Sequence, residues 1–390
     1  MSLGRTEVPA VDWDEARAQV LARIDDMLGS ELPGFPHWAD PTTGEWFCTE
    51  DGDWTGGAWP GMLWYAAAQT GDGRYRDAAR AWCARMSKRA DRTTAFKGFG
   101  FFHGVALGDL LVGDEQAREL ALRTASSLVT MYDERLGLLP LGVQAEESHA
   151  VGAAAASIDS LQATPLLLWA HGVTGEARYA DIARAHTERV LDLHVREDGS
   201  VVQSSELDPA TGALIRTHTH KGYSDTSTWC RAQAWAILYS ALAAARMPGA
   251  DVWSPHAIRV ADWWLEHVPA DGVSYWDFDD PAIPETHRDT SGTAIVASGL
   301  LRLGSVLGER GARYTEAGER TVAALVARHL TPYRPGSGTA TPGRLLDGCF
   351  NPRPESRPQD AVASAELIFG SFFLLECLQM LTGVAAPGRV

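Results

Sequence analysis

The chain has 390 residues, with 34 Lys and Arg against 50 Asp and Glu, a formal net charge of −16. That balance excludes nucleic acid and anionic membrane as principal partners, and 45% hydrophobic with 22% charged residues excludes a disordered chain. Five scattered cysteines with no CxxC pair, an N-terminus (MSLGRTEVPAVDWDEARAQ) lacking an apolar core and no run long enough to span a bilayer lead us to expect a cytoplasmic protein with free thiols.

An amphipathic helix is expected near 13–28. A polar, aromatic stretch, DGDWTGGAWPG, then leads into an apolar helix near 59–70, which ends in QTGDGRY and is followed by an amphipathic helix near 75–92. The same pairing recurs: 97–111 and 115–131 around LVGDEQA, 158–173 and 177–194 around VTGEARY, 228–246 and 252–267 around RMPGADV, 291–307 and 312–329 around VLGERGARY. A last apolar helix is expected near 360–382, beside the N-terminal one. Each turn places a glycine where a left-handed residue can end one helix, with an acid close behind to cap or favour the next. The recurrence is an internal repeat. First helices rich in Ala, Leu, Gly and Trp and second helices with one apolar face predict an all-α (α/α)6 barrel of six helical hairpins, an inner ring inside an outer one. A superhelical solenoid is the competing arrangement. No Pro/Ser-rich linker interrupts the chain, so residues 1–390 are expected to form a single domain. Strand-like alternation is confined to loops such as SVVQSSELDP and GVSYWDF.

The inner-to-outer turns are short, whereas the outer-to-inner connections are long: 29–58, 132–157, 195–227, 268–290 and 330–359. Long connections in a compact fold usually carry function. All of these lead into the N-termini of inner helices, which offer free N–H groups to an anionic ligand. The site is therefore expected at that mouth. Trp54, Trp229 and Trp235 lie at these junctions and suit stacking against a sugar ring, although core packing is the ordinary role of a tryptophan. Arg231 shares a helix face with Trp235; its guanidinium suits either a ligand carboxylate or a salt bridge to a neighbouring helix. Asp159 opens an inner helix. Its residue type fits an N-cap, which favours the ionised carboxylate, or a general acid, which needs burial or a second carboxylate to keep its proton.

Four stretches, DWTGGAWPGMLW, IDSLQATPLLLWAHGVTGE, LDPATGALIRTHTHKGYSDTSTWCRAQAWAI and VSYWDFDDPAIPETHRDTSGTAIVASGLL, resemble the unsaturated glucuronyl hydrolases of glycoside hydrolase family 88 and the related unsaturated rhamnogalacturonyl hydrolases. The resemblance runs along most of the chain. It implies the same barrel and removal of a 4,5-unsaturated uronic acid from the non-reducing end of an oligosaccharide, with no cofactor and no metal. It implies that Asp159 is the acid/base which protonates C4 and activates water for C5. Trp229, Arg231 and Trp235 match the WxRGQAW substrate-contacting motif, with Ala232 in place of its glycine, and Trp54 matches an aromatic that packs on the sugar. The chain departs from the family pattern elsewhere. A His-Asp-x-Gly-Phe motif carrying a second essential Asp reads AFKGFG, with Ala95 and Phe96 at the first two places. A family His corresponds to Gln203, a family Gln to Lys221, and an acid in a WGDYY-like run to Ser371.

Three readings follow. In one, the chain is a divergent hydrolase in which another carboxylate of the mouth (Asp53, Glu147, Glu206, Asp225 or Asp289) stands in for the missing Asp. In another it is a related uronide enzyme such as a lyase, with Lys221 or Arg231 neutralising the carboxylate and Asp159, Tyr223 or a His as base. In the third it binds sugar without turnover. Lys97 and Lys221 are the added cations, and THTH (His218, His220) with His149 and Asp225 is the weak candidate for a metal site.

Overall fold

A computed structural model describes residues 10–152, 154–247, 250–332, 342–353, 356 and 360–388. Parts of the expected 330–359 connection, the tip of the RMPGADV turn and the extreme N-terminus lie outside the described residues. Helix α1 (Trp13–Gly29) is followed by strands β1 (Phe35–Ala39) and β2 (Trp46–Thr49). Then come α2 (Ala58–Thr70), α3 (Gly73–Met86), α4 (Lys97–Phe101), α5 (Leu107–Val112) and α6 (Glu115–Val129), with a π-helical turn, Phe102–Ala106, joining α4 to α5. A short helix α7 (Ser148–Val151) and strand β3 (Ala156–Ser157) precede α8 (Ala163–Thr174) and α9 (Ala177–His194). Strands β4 (Ser204–Leu207) and β5 (Leu214–His218) lead to α10 (Cys230–Arg246), α11 (Ala250–His267), α12 (Thr290–Leu307), α13 (Ala312–His329), β6 (Glu366–Leu367) and α14 (Ile368–Leu381).

The inner helices are apolar all round because they are covered all round. Every residue of α2 from Ala58 to Ala67 is buried, as is every residue of α14 from Ile368 to Met380. Outer helices bury one stripe only; in α9 Tyr179, Ala183, His186, Val190 and Leu191 recur at helical spacing. Among the described residues, the inner ring runs α2, α4–α5, α8, α10, α12, α14 and back to α2, and α1, α3, α6, α9, α11 and α13 surround it. The solenoid is thereby excluded: the ring closes. The helical stretch Thr290–His329, which contains α12 and α13, is by length and composition apolar enough to cross a membrane, contrary to the sequence expectation, yet Thr290 to Gly304 are all buried inside the barrel.

The first three turns work as their sequences foretell, whereas in VLGERGARY a 3-10 turn, Gly308–Gly311, intervenes. Gly71, Gly113 and Gly175 each end an inner helix at positive φ (70°, 65° and 73°). Asp72 and Asp114 cap the helices that follow, accepting from Arg74 N at 2.9 Å and Ala117 N at 3.0 Å.

Three expectations need correction. The segment 97–111 is a helix interrupted by a π turn. The helix placed at 158–173 opens as a tight 3-10 turn, Ile158–Gln162, and only then becomes α8. The last helix begins at Ile368, because Glu366 and Leu367 pair instead with Ala39 and Trp38 of β1. Two three-stranded antiparallel sheets, β2-β1-β6 and β3-β4-β5, are found among the described residues. Both precede inner-helix N-termini.

Candidate active site

The second sheet places the acid. Ala156 and Ser157 pair with Ser205 and Ser204, and Ile158 N donates to Gln203 O at 2.9 Å, so Asp159 and Gln203 leave adjacent strands side by side. The cap of the following turn is Ser157, whose Oγ accepts from Asp159 N at 3.2 Å. Asp159 is thus freed from the capping role its position suggests. Its side chain is buried, and both hydrogen bonds it receives end on Oδ2: Ser157 Oγ donates at 2.6 Å and Gln203 Nε2 at 3.2 Å. Burial raises its carboxyl above the usual range and the nearby Glu147 charge adds to this, opposed by Lys221, Ser157 and His220.

Gln203 also fixes the opposite wall. Its Oε1 accepts from Thr219 Oγ1 at 2.7 Å, from His220 N at 3.3 Å and from Lys221 N at 3.2 Å. The segment after β5 therefore bends over the acid and carries Lys221 to the pocket. Lys221 Nζ forms an ion pair with Glu147 Oε1, and His220 Nε2 lies 2.9 Å from Glu147 Oε2. Burial works against the charge on Glu147, but these two neighbours hold its carboxyl far below the usual range.

The walls are aromatic. Trp54 opens the turn ahead of α2, placed by Asp53, which bends the chain at φ 49° and accepts from Trp54 N at 2.6 Å. Its ring stacks on Phe350 with centroids 6.3 Å apart and meets the edge of Trp235 at 6.2 Å. Trp235 in turn stacks on Tyr239 at 5.6 Å. Trp229 stands at the N-terminus of α10 with the Arg231 guanidinium 4.5 Å above its ring. Asp159, Phe96, Glu147, Lys221, Trp229 and Trp235 all line one narrow pocket, together with Trp54 and Arg231. Trp54, Glu147 and Lys221 also line a cleft of about 420 Å³, so the narrow pocket is its floor. Inner-helix N-termini supply Trp54, Phe96, Asp159 and Trp229 from four sides, and the long loops bring Glu147 and Lys221, as the loop lengths predicted.

Several candidates are placed otherwise. Arg231 reaches the pocket wall, but its guanidinium is engaged by Asp289 Oδ2 at 2.6 Å and by the carbonyls of Cys349 and Phe350, the salt-bridge alternative rather than an open anion clamp. Asp289 caps α12 through Ser291 N and Gly292 N and lies outside the pocket. Glu206 pairs with Arg216 at 2.8 Å across the hairpin. Asp225 is exposed, reaching the cleft but not its floor, and its Oδ1 accepts from Thr219 N at 3.0 Å. Lys97 points away from the pocket, donating to Arg92 O at 2.8 Å and Ser127 Oγ at 2.6 Å. On the cleft wall, burial and the neighbouring Asp53 raise the Glu146 carboxyl to about 7, against the pull of Arg89. Sequence reasoning did not find Ser157, although the spacing S-x-D at a helix start signals a cap. It also did not find Phe350, whose loop carries no pattern that places it.

An acid floor under aromatic walls, at the N-terminal mouth of an α/α barrel, defines a glycoside-processing enzyme. The model of Glycosyl Hydrolase Family 88 matches residues 35–333. The unsaturated glucuronyl hydrolase of Bacillus sp. (strain GL1) is 34% identical over 377 residues, covering 94% of this chain and 96% of the relative. An unsaturated chondroitin disaccharide hydrolase of Streptococcus pneumoniae is 28% identical over 304 residues, 75% of each chain. The crystal structure of the Bacillus sp. GL1 hydrolase, responsible for the degradation of glycosaminoglycan, has a TM-score of 0.84 to this one at 32% identity over 95% of this chain and 97% of that chain. The chain belongs to glycosyl hydrolase family 88.

Proposed function

We propose that this protein removes a 4,5-unsaturated uronic acid from the non-reducing end of an oligosaccharide by hydrating the C4=C5 bond, with Asp159 as general acid and then general base. The observation that carries the reading is the asymmetry of Asp159. Two donors converge on Oδ2, whereas Oδ1 has no protein partner among the described residues. Burial raises the proton affinity of this carboxyl, and a proton bound there sits on the oxygen without donors, from which it is free to be transferred.

The step balances simply. The π electrons of the enol ether take the Asp159 proton at C4, and the ring oxygen carries the positive charge left at C5. Water adds at C5 and gives a proton to the Asp159 carboxylate, restoring the acid. The hemiketal at C5 opens, and the hemiacetal thereby formed at C1 releases the remaining sugar. Trp54, Trp229 and Trp235 supply the apolar faces for the ring, Gln203 holds the acid, and Lys221, which lines the floor, is the cation offered to the substrate carboxylate; Arg231 braces Cys349 and Phe350. The relatives' names support the substrate class, and one solved UGL structure, 32% identical with TM-score 0.85, is with dGlcA-Glc-Rha-Glc. Of the bases open to the elimination reading, Tyr223 is exposed and lines neither the cleft nor its floor, which leaves Asp159 and the cleft histidines. Five free thiols suit a reducing compartment, where we place the enzyme downstream of lyases that generate such ends.

The conjugated enol ether absorbs in the ultraviolet and its hydration product does not. Wild-type protein is expected to bleach unsaturated uronyl disaccharides, and Asp159→Asn to lose roughly 10³-fold in kcat. Undiminished bleaching by that variant removes Asp159 from the mechanism.

A further inference from the structure

Phe96 brings neither a proton nor a hydrogen-bonding group to the pocket. Yet among the described residues one carboxylate besides Asp159 lines the narrow floor, and it is Glu147. It arrives on a neighbouring segment that is fastened to the stretch leading into Phe96. Ala95 N donates to Leu141 O at 2.9 Å, Gln144 N to Thr93 O at 3.0 Å and Thr93 N to Gln144 Oε1 at 2.7 Å, and Arg89 pairs with Glu146. The two segments approach so closely that a Cβ at Gly142, where φ is 89°, would stand 2.3 Å from Thr93 O. Glu147 is thereby fixed beside the place where Phe96 offers nothing.

Its charge is fixed as well. Lys221 and His220 contact its two oxygens, and Lys221 Nζ is held over the rings of Trp54 (5.9 Å), Trp229 (5.5 Å) and Phe350 (5.2 Å). The other ionisable groups packed around Asp159 contribute no free charge. Arg231 on α10 is matched by Asp289, burial keeps the Tyr239 phenol of α10 protonated, and burial keeps His186 of α9 neutral, pushed down to about 4. The charged pair that acts on Asp159 is Glu147 with Lys221, and the His220 ring stands beside it.

We propose that Glu147 is the second carboxylate of this site, a positioning residue whose anchored negative charge sets the pH range over which Asp159 holds the proton it delivers to C4. The chemistry rests on the hydrolase reading above; the coupling of the two carboxylates does not. Between buried groups lining one pocket such coupling is strong, because little water screens it. No atom is transferred to or from Glu147 in the reaction.

The test is a carbon-13 titration of the Asp159 carboxyl in the ligand-free protein, assigned by its disappearance in Asp159→Asn. Glu147→Gln is expected to move the Asp159 titration to lower pH, Glu147→Asp to leave it near the wild-type position, and Lys221→Gln to move it upward. In turnover, the alkaline limb of kcat/KM follows: Glu147→Gln loses roughly tenfold at about pH 8 while staying within about threefold of wild type at about pH 5. A titration unmoved in both Glu147→Gln and Lys221→Gln overturns the proposal. Should wild type bleach no unsaturated uronide, the hydrolase reading fails by itself, and the carboxyl titration still decides the coupling.

Discussion

A single hydroxyl separates the two roles open to Asp159. An aspartate at a helix start ordinarily accepts from backbone N–H groups, and those bonds favour its ionised form. Here Ser157, two residues earlier, takes the capping place and returns its own hydroxyl proton to Asp159 Oδ2. Ser157→Ala removes both contacts. It is expected to lose about 1 kcal/mol of stability through the cap and to shift the alkaline limb of kcat/KM upward, since the bond from Ser157 is among those that favour the charged carboxylate. Thermal unfolding and a pH profile read the two effects separately; a limb that moves downward contradicts this account. The sequence brought Asp159, the tryptophans, Gln203 and Lys221 to the same mouth because each stands at a helix junction or in a long loop leading to one. Their partners were not legible. Nothing local tells that Arg231 meets Asp289, 58 residues away, or that Glu147 meets Lys221, because those contacts follow from how four loops cross.

Helices obeyed local rules where glycine and an acid met in a short turn, and departed from them where a distant strand competed. Residues 360–367 were read as helix from composition, but the buried ion pair of Glu366 with Arg23, 2.8 Å, and the pairing with β1 hold the stretch extended. The π turn in the second inner stave has a similar origin. Trp64 Nε1 of α2 donates to Gly104 O at 2.9 Å, and the two staves touch through glycine: a Cβ on Gly104 would lie 2.5 Å from Gly57 Cα, and one on Gly57 would lie 2.3 Å from Gly100 O. Backbones that close leave no room for a methyl group. Gly104→Ala is expected to cost about 2 kcal/mol and, by pushing α4 outward, to lower kcat/KM as well. Urea unfolding at neutral pH checks the first part; a midpoint within error of wild type would mean the staves can part without strain.

At the scale of the whole barrel, a polar cluster sits among apolar staves. Glu376 accepts from Tyr65 OH at 3.0 Å and Ser298 Oγ at 2.5 Å and pairs with Arg302 at 2.9 Å, all four residues buried. His103 lies close by, ringed by Phe99, Phe102, Phe372 and Phe373. Burial, aided by Arg302 and Arg246 and opposed by Glu376, lowers its proton affinity to about 3 from the ordinary 6.5. The unfolded chain therefore binds this proton more readily than the folded one. The stability His103 contributes is complete above about pH 6.5 and is lost as the pH falls toward about 3. Wild type is expected to lose urea stability relative to His103→Phe over that window; a constant difference between the two proteins would show that the ring does not titrate on unfolding.

The seam that completes the ring joins α1 to α14 through Arg17 with Thr382 and, just ahead of α14, Arg23 with Glu366, residues 343 apart in sequence. During synthesis the first stave must wait for the last. Until α14 emerges, α2 and α12 have an empty place between them and α1 has only α2 to lie against, so contacts of long sequence separation must close last. A growing chain will thus leave the facing sides of α2 and α12 uncovered until α14 arrives, which marks the stage before that arrival as the one when this barrel is most open to aggregation and to chaperones.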